Sequence, residues 1–547
     1  MAEPRRRSST GRRRTSIQDD AAMLAGLGVK QELQRNFSFL SMLGLAFAIL
    51  NSWTALGASM SLALPSGGPD AVIWGLVVAG ICNLSLAASL AEFLSAYPTA
   101  GGQYHWVAVI SWKRWVPLLS WITGWINTAG WVALTATAGL LGSQLIIGII
   151  ALCSPGYEAH RWHQFLIYIG YNLFAFAVNA FITRLLPLVN KAALIWSLTG
   201  WLVISITVLA CSSPNYQGGG FVYRTFINET GWPDGLAWLL GLLQGGLGLT
   251  GFDAVAHCVE EVGNPTVVGP RIMIGCVLIG VFTGFIYLSV LLFVAKDVET
   301  VISSAAGPML QIFYDATSSK AGSVCLLMFP LVCLLFAAVS IMTTSSRMVY
   351  AFARDGGLPA SRFFAKVDRR LQVPLNALWL TTILVIIFGC IFLGSSSAFN
   401  AIVSASVVAL GVTYAIPPAI NCLRGRRMLP ASRPFILPTW LGWTCNLIGI
   451  AYVILTTVLF MFPPEKDVTG SNMNYCVAAF AIVLVISTIQ WFIDGRKNYT
   501  GPQIDIDALK AGEIVGMAPA EGEAGGVNVT RSSDDTLNGG AEKKAEI

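Results

Sequence analysis

Charge is scarce in this sequence. Of 547 residues, 12% are Asp, Glu, Lys or Arg and 55% are hydrophobic, where a soluble domain carries about 25% charged residues. A mean hydropathy of +0.66 excludes a soluble globular chain, and with it a nucleic-acid-binding one. The net charge of +5 comes from segments that flank apolar runs. Histidine is rarer still. The four His residues form no HExxH motif, and the 11 Cys residues show no CxxC or Cys/His spacing, so no metal-ligand set is legible. Cys82, Cys276, Cys325, Cys333 and Cys390 lie inside apolar runs, where the thiol behaves as a small hydrophobe. Cys153 and Cys211 fall near predicted outer helix ends and are candidates to pair. No nucleophile–base pair or phosphate-binding glycine loop appears; Gly101-Gly102 stands in a loop without that context. These absences argue against a membrane enzyme, and no cofactor is expected. No cleavable signal peptide is expected either. The first stretch of about 35 residues is polar, so the first apolar run is expected to serve as the insertion signal.

What the chain does have is long apolar runs. A helix needs about 20 apolar residues to cross the hydrocarbon core. Twelve runs qualify, at roughly 38–63, 71–96, 117–151, 163–182, 190–212, 235–258, 272–295, 322–347, 375–393, 399–420, 441–461 and 473–493. An even number returns the C-terminus to the side of the N-terminus. The predicted inner loops hold Lys113, Arg114, Arg184, Lys191, Arg271, Arg354, Arg362, Lys366, Arg369, Arg370, Arg424, Arg426, Arg427, Arg433, Arg496 and Lys497. The predicted outer loops hold only Arg161, Arg224, Lys296, Lys320 and Lys466. That asymmetry puts both termini in the cytoplasm. The transporter-like domain is expected over 36–498, with tails at 1–35 and 499–547 whose polar composition reads as disordered. Ser8, Ser9, Thr15 and Ser16 stand beside arginines and read either as kinase sites or as part of a topogenic basic tail. Asn228-Glu229-Thr230 is a glycosylation sequon in a predicted outer loop. Residues 98–116 read as an interfacial amphipathic helix, and 306–316 as a short helix over the external mouth.

Two of the twelve runs are interrupted. In the sixth, Gly245, Gly246, Gly248 and Gly251 fall within seven residues and Asp253 follows. Each glycine costs a helix roughly 1 kcal/mol relative to Ala. An ionisable group at membrane depth marks a site or a pathway by default. Tight helix packing explains the glycines but not Asp253. In the first run, Asn51, Ser52 and Thr54 flank Trp53 in an apolar stretch, and Gly57 follows. Interrupted helices in matching positions of two halves point to an inverted repeat with its binding site at the breaks. Repeat one is then about 36–212 and repeat two about 235–420, with two further helices over about 441–493. Broken ends free backbone groups, tolerated in lipid only where they line a cavity. The carbonyls suit a cation or amine and the N–H groups a carboxylate. Trp53 and Phe252 could face an ammonium through cation–π attraction, worth about 0.5–2 kcal/mol, or pack against neighbouring helices. Candidate substrate residues are therefore Asn51, Ser52, Trp53, Thr54, Thr250, Gly251, Phe252 and Asp253, with Trp125, Asn127 and Trp131 as wall or packing residues.

Other polar groups suggest ion or gating roles. Thr343, Thr344, Ser345 and Ser346 either line the pathway or bond to their own helix. Glu92 is a candidate ion pair or gate, and Glu260 and Glu261 sit where the sixth run leaves the membrane.

GFDAVAHCVEEVGNP, SLAEFLSAYPTAGGQYHW and SRMVYAFARDGGLP together resemble the amino acid–polyamine–organocation superfamily. Within it they resemble the fungal amino acid/choline permeases, and NSWTALGASMSLALPSGGP, FINETGW and FPPEKDVTGSNMNY are similar to the yeast choline permease branch, with GABA permeases close. The resemblance covers about residues 36 to 500. It implies an all-α polytopic membrane protein of twelve transmembrane helices, with a five-plus-five, LeuT-like inverted repeat unwound at helices one and six. It also implies a plasma-membrane symporter that takes up small amine-bearing solutes, amino acids or choline, by alternating access with H+ as coupling ion. One departure stands out. Some proton-coupled members carry a Lys midway along helix five, but nothing basic lies between Ala192 and Ala210 here. The alternatives are a GABA-specific permease, an exporter of an amine metabolite, or a nutrient sensor on a transporter scaffold. The expected partners are a small amine, a coupling ion and the lipid bilayer, with no nucleic acid.

Overall fold

The computed structural model describes residues 38–502 apart from 155, 395, 396, 471 and 472. Both tails, with Ser8, Ser9, Thr15 and Ser16, therefore lie outside the described residues, save 499–502. The described chain is all-helical, and eleven of its helices are long and apolar enough to cross a membrane. The apolar run at 235–258 is not among them, because it folds as two shorter pieces.

The first membrane segment is α1 (Phe39–Leu50) followed by α2 (Ser52–Ala58). A capping box opens α1: Ser38 Oγ accepts from the Ser41 N–H, and Ser41 Oγ accepts from the Ser38 N–H, satisfying donors a helix start leaves bare. Next come α3 (Leu64–Ala96), kinked at Gly67-Gly68, and the short α4 (Gln103–Ile110). Three long helices follow, α5 (Val116–Cys153), α6 (Arg161–Phe181) and α7 (Leu186–Ser212), then a short α8 (Gly219–Arg224). The sixth apolar run gives α9 (Asp234–Gly248), a non-helical stretch, and one turn of helix, α10 (Ala254–His257). Pro265 opens α11 (Pro265–Val294), its fixed φ and missing N–H suiting a first helical position. Two short helices, α12 (Val298–Ser303) and α13 (Pro308–Thr317), lead to α14 (Lys320–Arg354). A short α15 (Ser361–Phe364) precedes α16 (Leu375–Gly389), which is followed by α17 (Ile391–Gly394) and α18 (Ala398–Leu423). The chain closes with α19 (Thr439–Leu459) and α20 (Cys476–Gln490), which continues through a π turn to Asn498.

Small residues let these helices approach closely, as lipid-embedded bundles require. On α9, a Cβ at Gly245 would lie 3.0 Å from the Ala79 methyl and 3.1 Å from the Gly75 carbonyl, and one at Gly248 would lie 2.6 Å from Leu56. Gly246 faces Tyr452 and Val407. Gly245, Gly246 and Gly248 are thus packing surfaces inside a helix. Only Gly251 belongs to the interruption.

Two loop expectations meet different outcomes. The helix expected over 306–316 is α13, and it packs over the end of α2: a Cβ at Gly57 would lie 2.9 Å from Met309 Sδ. The interfacial helix expected within 98–116 is corrected. All eight residues of α4 are buried, so it packs inside the bundle rather than on its surface. Its polar side chains find partners there, as described below. Cys153 and Cys211, candidates to pair, are both free, exposed thiols.

Candidate functional site

The first membrane segment breaks at one residue. Asn51 has φ 42° and ψ 38°, a left-handed conformation that a non-glycine residue adopts at a cost. Backbone bonds run from Asn51 N–H to the Phe47 carbonyl and from Ala55 N–H to the Asn51 carbonyl. The three helical bonds between them, to the carbonyls of Ala48, Ile49 and Leu50, are not made. Those carbonyls are left for another donor. Asn51 Nδ2, Ser52 Oγ and Thr54 Oγ1 are buried without a hydrogen-bond partner. Such groups cost roughly 1–3 kcal/mol each when nothing satisfies them. The interruption expected across Asn51 to Thr54 is therefore narrower: Ser52, Trp53 and Thr54 already belong to α2.

The second break spans 249–253. Gly251 has φ 101°, a conformation open mainly to glycine. A Cβ there would lie 2.9 Å from Ile49 Cγ2 and 3.3 Å from Leu134. The two breaks thus meet, Gly251 resting on the residue two before Asn51. Thr250 Oγ1 donates to the Gly246 carbonyl at 2.7 Å, closing the end of α9. The Gly251 N–H donates to the Tyr414 hydroxyl at 3.2 Å.

Asp253 is fully buried, and protein donors take both its oxygens. Tyr414 Oη donates to Oδ1 at 2.5 Å, and Gln103 Nε2 donates to Oδ2 at 2.7 Å. His257 Nε2 lies 3.2 Å from Oδ2. Asn127 Nδ2 donates to Gln103 Oε1 at 3.0 Å and lies 3.5 Å from His257 Nε2. In this conformation Asp253 does not present a bare carboxylate at the breaks, as the sequence suggests it would. It anchors a polar cluster beside the second break.

The aromatic candidates divide. Trp53 donates its indole N–H to Ser197 Oγ at 2.8 Å and meets Tyr287 edge-on, with ring centroids 4.8 Å apart. It packs against α7 and α11. Phe252 lies 4.6 Å from the Tyr414 ring centroid. Trp125 is half-buried beside Trp121 and Phe352, and its Nε1 has no partner. Trp131 is buried, edge-on to His257 at 5.7 Å, with an unpartnered Nε1.

The other candidates are engaged elsewhere. Thr343 donates to the Val339 carbonyl and is hydrogen-bonded to Asn179; Thr344 donates to the Ser340 carbonyl. Glu92 takes Arg426 at 2.6 Å, Arg433 at 2.8 Å and the Leu437 N–H at 3.1 Å. It fastens the 424–437 loop to α3. Glu261 pairs with Arg347 at 3.2 Å and Glu260 with Arg354 at 3.3 Å, tying the segment after α10 to α14. Asp355, just past α14, accepts from Tyr104 Oη and lies against His105 Nε2, both at 2.7 Å. Burial alone would raise the Asp355 carboxyl; His105, Arg354 and the Tyr104 hydroxyl outweigh it and hold the group below its ordinary range. The Asn228 amide donates to the Trp232 carbonyl and to Asp234, and Thr230 is buried. The folded loop uses both ends of the sequon.

Gln103, His257 and Tyr414 are functional candidates that residue reading missed. His257 stands four residues after Asp253, one helical turn, which is a legible signal. Gln103 and Tyr414 come from distant segments and carry none.

Residues 38–487 match the amino acid permease family model. The chain belongs to the amino acid permease family. The permease is 35% identical over 444 residues to a putative amino acid/polyamine transporter of Macrophomina phaseolina, covering 80% of this chain and 97% of the relative. It is 32% identical over 472 residues to a choline transporter of Saccharomyces cerevisiae, covering 85% and 83%. It is 32% identical over 497 residues to an amino-acid permease of Arabidopsis thaliana, covering 88% and 95%. These similarities agree with the superfamily that the motifs indicated.

Proposed function

We propose that the permease is a secondary active transporter that moves a small amine-bearing solute by alternating access, taking it up with protons across the plasma membrane. Amino acids, choline, GABA and polyamines are the candidate cargoes. The chain then crosses the bilayer twelve times, the broken segment 234–261 being the sixth crossing. It carries two five-helix inverted repeats and two appended helices, with both termini in the cytoplasm.

One observation carries this reading. Two interrupted helices meet at Ile49 and Gly251, next to three freed carbonyls and three unpartnered buried polar side chains. Irregular backbone at membrane depth is stable only around a cavity or a ligand. An ammonium or quaternary amine is the cargo such carbonyls attract. Asn51, Ser52, Thr54, Thr250, Gly251 and Phe252 are the proposed seat. Trp131 and Trp125 form its proposed wall, and Asn127 and Asp253 its polar floor. The ion pairs of Glu260 and Glu261 are the proposed gate toward the cytoplasm.

The test is uptake of labelled choline, GABA, spermidine and a panel of amino acids by permease-null cells expressing the chain. Uptake of at least one amine, abolished by a protonophore, is expected. No transport of any amine in either direction contradicts the reading. A nutrient response that needs the tails but no uptake points instead to a sensor.

A further inference from the structure

A proton-coupled permease needs a group that takes and releases a proton near its substrate. The Lys that serves some relatives has no counterpart here: α7 presents Ser197 to Trp53 and carries no basic residue between Ala192 and Ala210. The structure offers another group.

His257 Nδ1 lies 2.8 Å from the Ala100 carbonyl. A carbonyl only accepts, so Nδ1 carries hydrogen. That leaves Nε2, 3.2 Å from Asp253 Oδ2. With the carboxylate ionised and Nε2 bare, two lone pairs face each other with no hydrogen between them. One added proton resolves this, on Nε2 or on Oδ2. The pair then has no net charge. Without that proton it holds one negative charge, at a site where both side chains are fully buried.

The surroundings suit both states. Tyr414 and Gln103 donate to the carboxylate. Asn127 Nδ2 faces Nε2 at 3.5 Å. Trp131 covers the imidazole edge, and a Cβ at Gly102 would lie 3.0 Å from its Cε1. The titratable groups on neighbouring elements have partners of their own. Glu261 is held by Arg347, Glu260 by Arg354 and Asp355 by His105. The free, buried thiols of Cys258 and Cys276 lie on this segment and on α11. The cluster joins three elements: α10 beside the second break, α4 through Gln103, and α18 through Tyr414. Tyr414 also accepts from the Gly251 N–H, so a change at Asp253 reaches the break through one side chain.

We propose that Asp253 and His257 together bind one exchangeable proton, and that this is the coupling proton of transport. The role in coupling rests on the reading of the chain as a proton-driven permease; the binding of a proton does not. The proton arrives from water on one side, occupies Nε2 or Oδ2 while the substrate's amine rests on the carbonyls of Ala48 to Leu50, and leaves to water on the other side. No bond other than N–H or O–H is made or broken.

The test uses the purified full-length chain in lipid nanodiscs, with the proton itself as probe. Infrared difference spectra are recorded as pH is stepped. The wild type should show one carboxyl or imidazole transition that is lost in D253N and lost in H257Q, because the site belongs to both residues. Y414F removes a donor to Asp253, so the pH midpoint of the same transition should change in this variant. A wild-type chain with no such transition overturns the proposal. So does a transition that H257Q leaves in place. If H257Q fails to fold, the Y414F shift decides. In liposomes, H257Q should lose gradient-driven accumulation of the amine found in the uptake panel, by tenfold or more. Proton-driven uptake in H257Q equal to wild type removes the pair from coupling while leaving the transporter reading intact. An absence of amine transport in the wild type removes that reading while leaving the titration to stand.

Discussion

Gly280 on α11 faces Ser52 on α2 so closely that a Cβ on the glycine would overlap the serine hydroxyl. One turn further along, Gly284 takes Leu56 in the same way. The half-helix after the first break is therefore bedded on a glycine stripe of the helix that follows the second break. Ser52 has no hydrogen-bond partner there, so the contact holds α2 by shape alone. Added bulk in such a contact typically costs 1–3 kcal/mol. G280V should cut amine uptake at least tenfold while the protein still reaches the membrane. G275A, on the same helix with open space around it, should transport normally. Equal uptake in the two variants would show that the bed does not matter.

The pairs at Glu260 and Glu261 give a second prediction. Arg347 and Glu261 are nearly fully buried. Removing one partner of such a pair leaves an uncompensated charge and typically costs about 3–5 kcal/mol. R347M should lower the thermal unfolding midpoint of the purified protein and raise leak of substrate out of loaded liposomes. The double variant R347M/E261L should recover most of the stability, since an apolar pair often replaces a buried ion pair without loss. Glu260–Arg354, with Arg354 partly exposed, should matter less.

Asp355 sets a pH dependence. Its folded-state carboxyl titrates below its ordinary range. The unfolded chain therefore binds that proton at a higher pH than the folded chain. The stabilisation is present in full above the ordinary carboxylate value of about 3.9 and is lost as pH falls through the lower folded value. Melting curves of wild type and D355N should be well separated at neutral pH and converge in strong acid. A separation that widens on acidification would reverse the sign and contradict the assignment.

Gly251 combines a positive φ with contact to Ile49. G251A strains the backbone and presses the two breaks apart. Uptake should fall by tenfold or more in G251A. In G263A, where nothing lies within contact of an added Cβ, it should not. Comparable uptake in both variants would separate the break from transport.

Part of this site is legible in the residues. A polar Asn51 within an apolar run, and Gly251 followed by Asp253, mark the two interruptions, because lipid penalises polar groups that have no purpose. The neighbouring glycines misled, since Gly245, Gly246 and Gly248 serve helix packing and look the same in sequence. The stretch at 98–116 misled for another reason. Its Gln103, Tyr104 and His105 look like a solvated face, yet they are satisfied by Asp253 and Asp355 from segments some 150 and 250 positions away. A single sequence records which groups are polar. It does not record which of them will meet. Thr343 and Thr344 show the converse, hydroxyls that look free and are spent on their own helix and, for Thr343, on Asn179 of α6.

The central claim is that the meeting point of the two breaks is the seat of the cargo. A cryo-electron microscopy map of the full-length chain in nanodiscs, saturated with the amine identified by uptake, tests it most directly. Density for the amine is expected between the carbonyls of Ala48 to Leu50 and the Gly251–Phe252 backbone, with Asn51, Ser52 or Thr54 newly hydrogen-bonded to it. Amine density elsewhere, with those three side chains still unpartnered, would contradict the account.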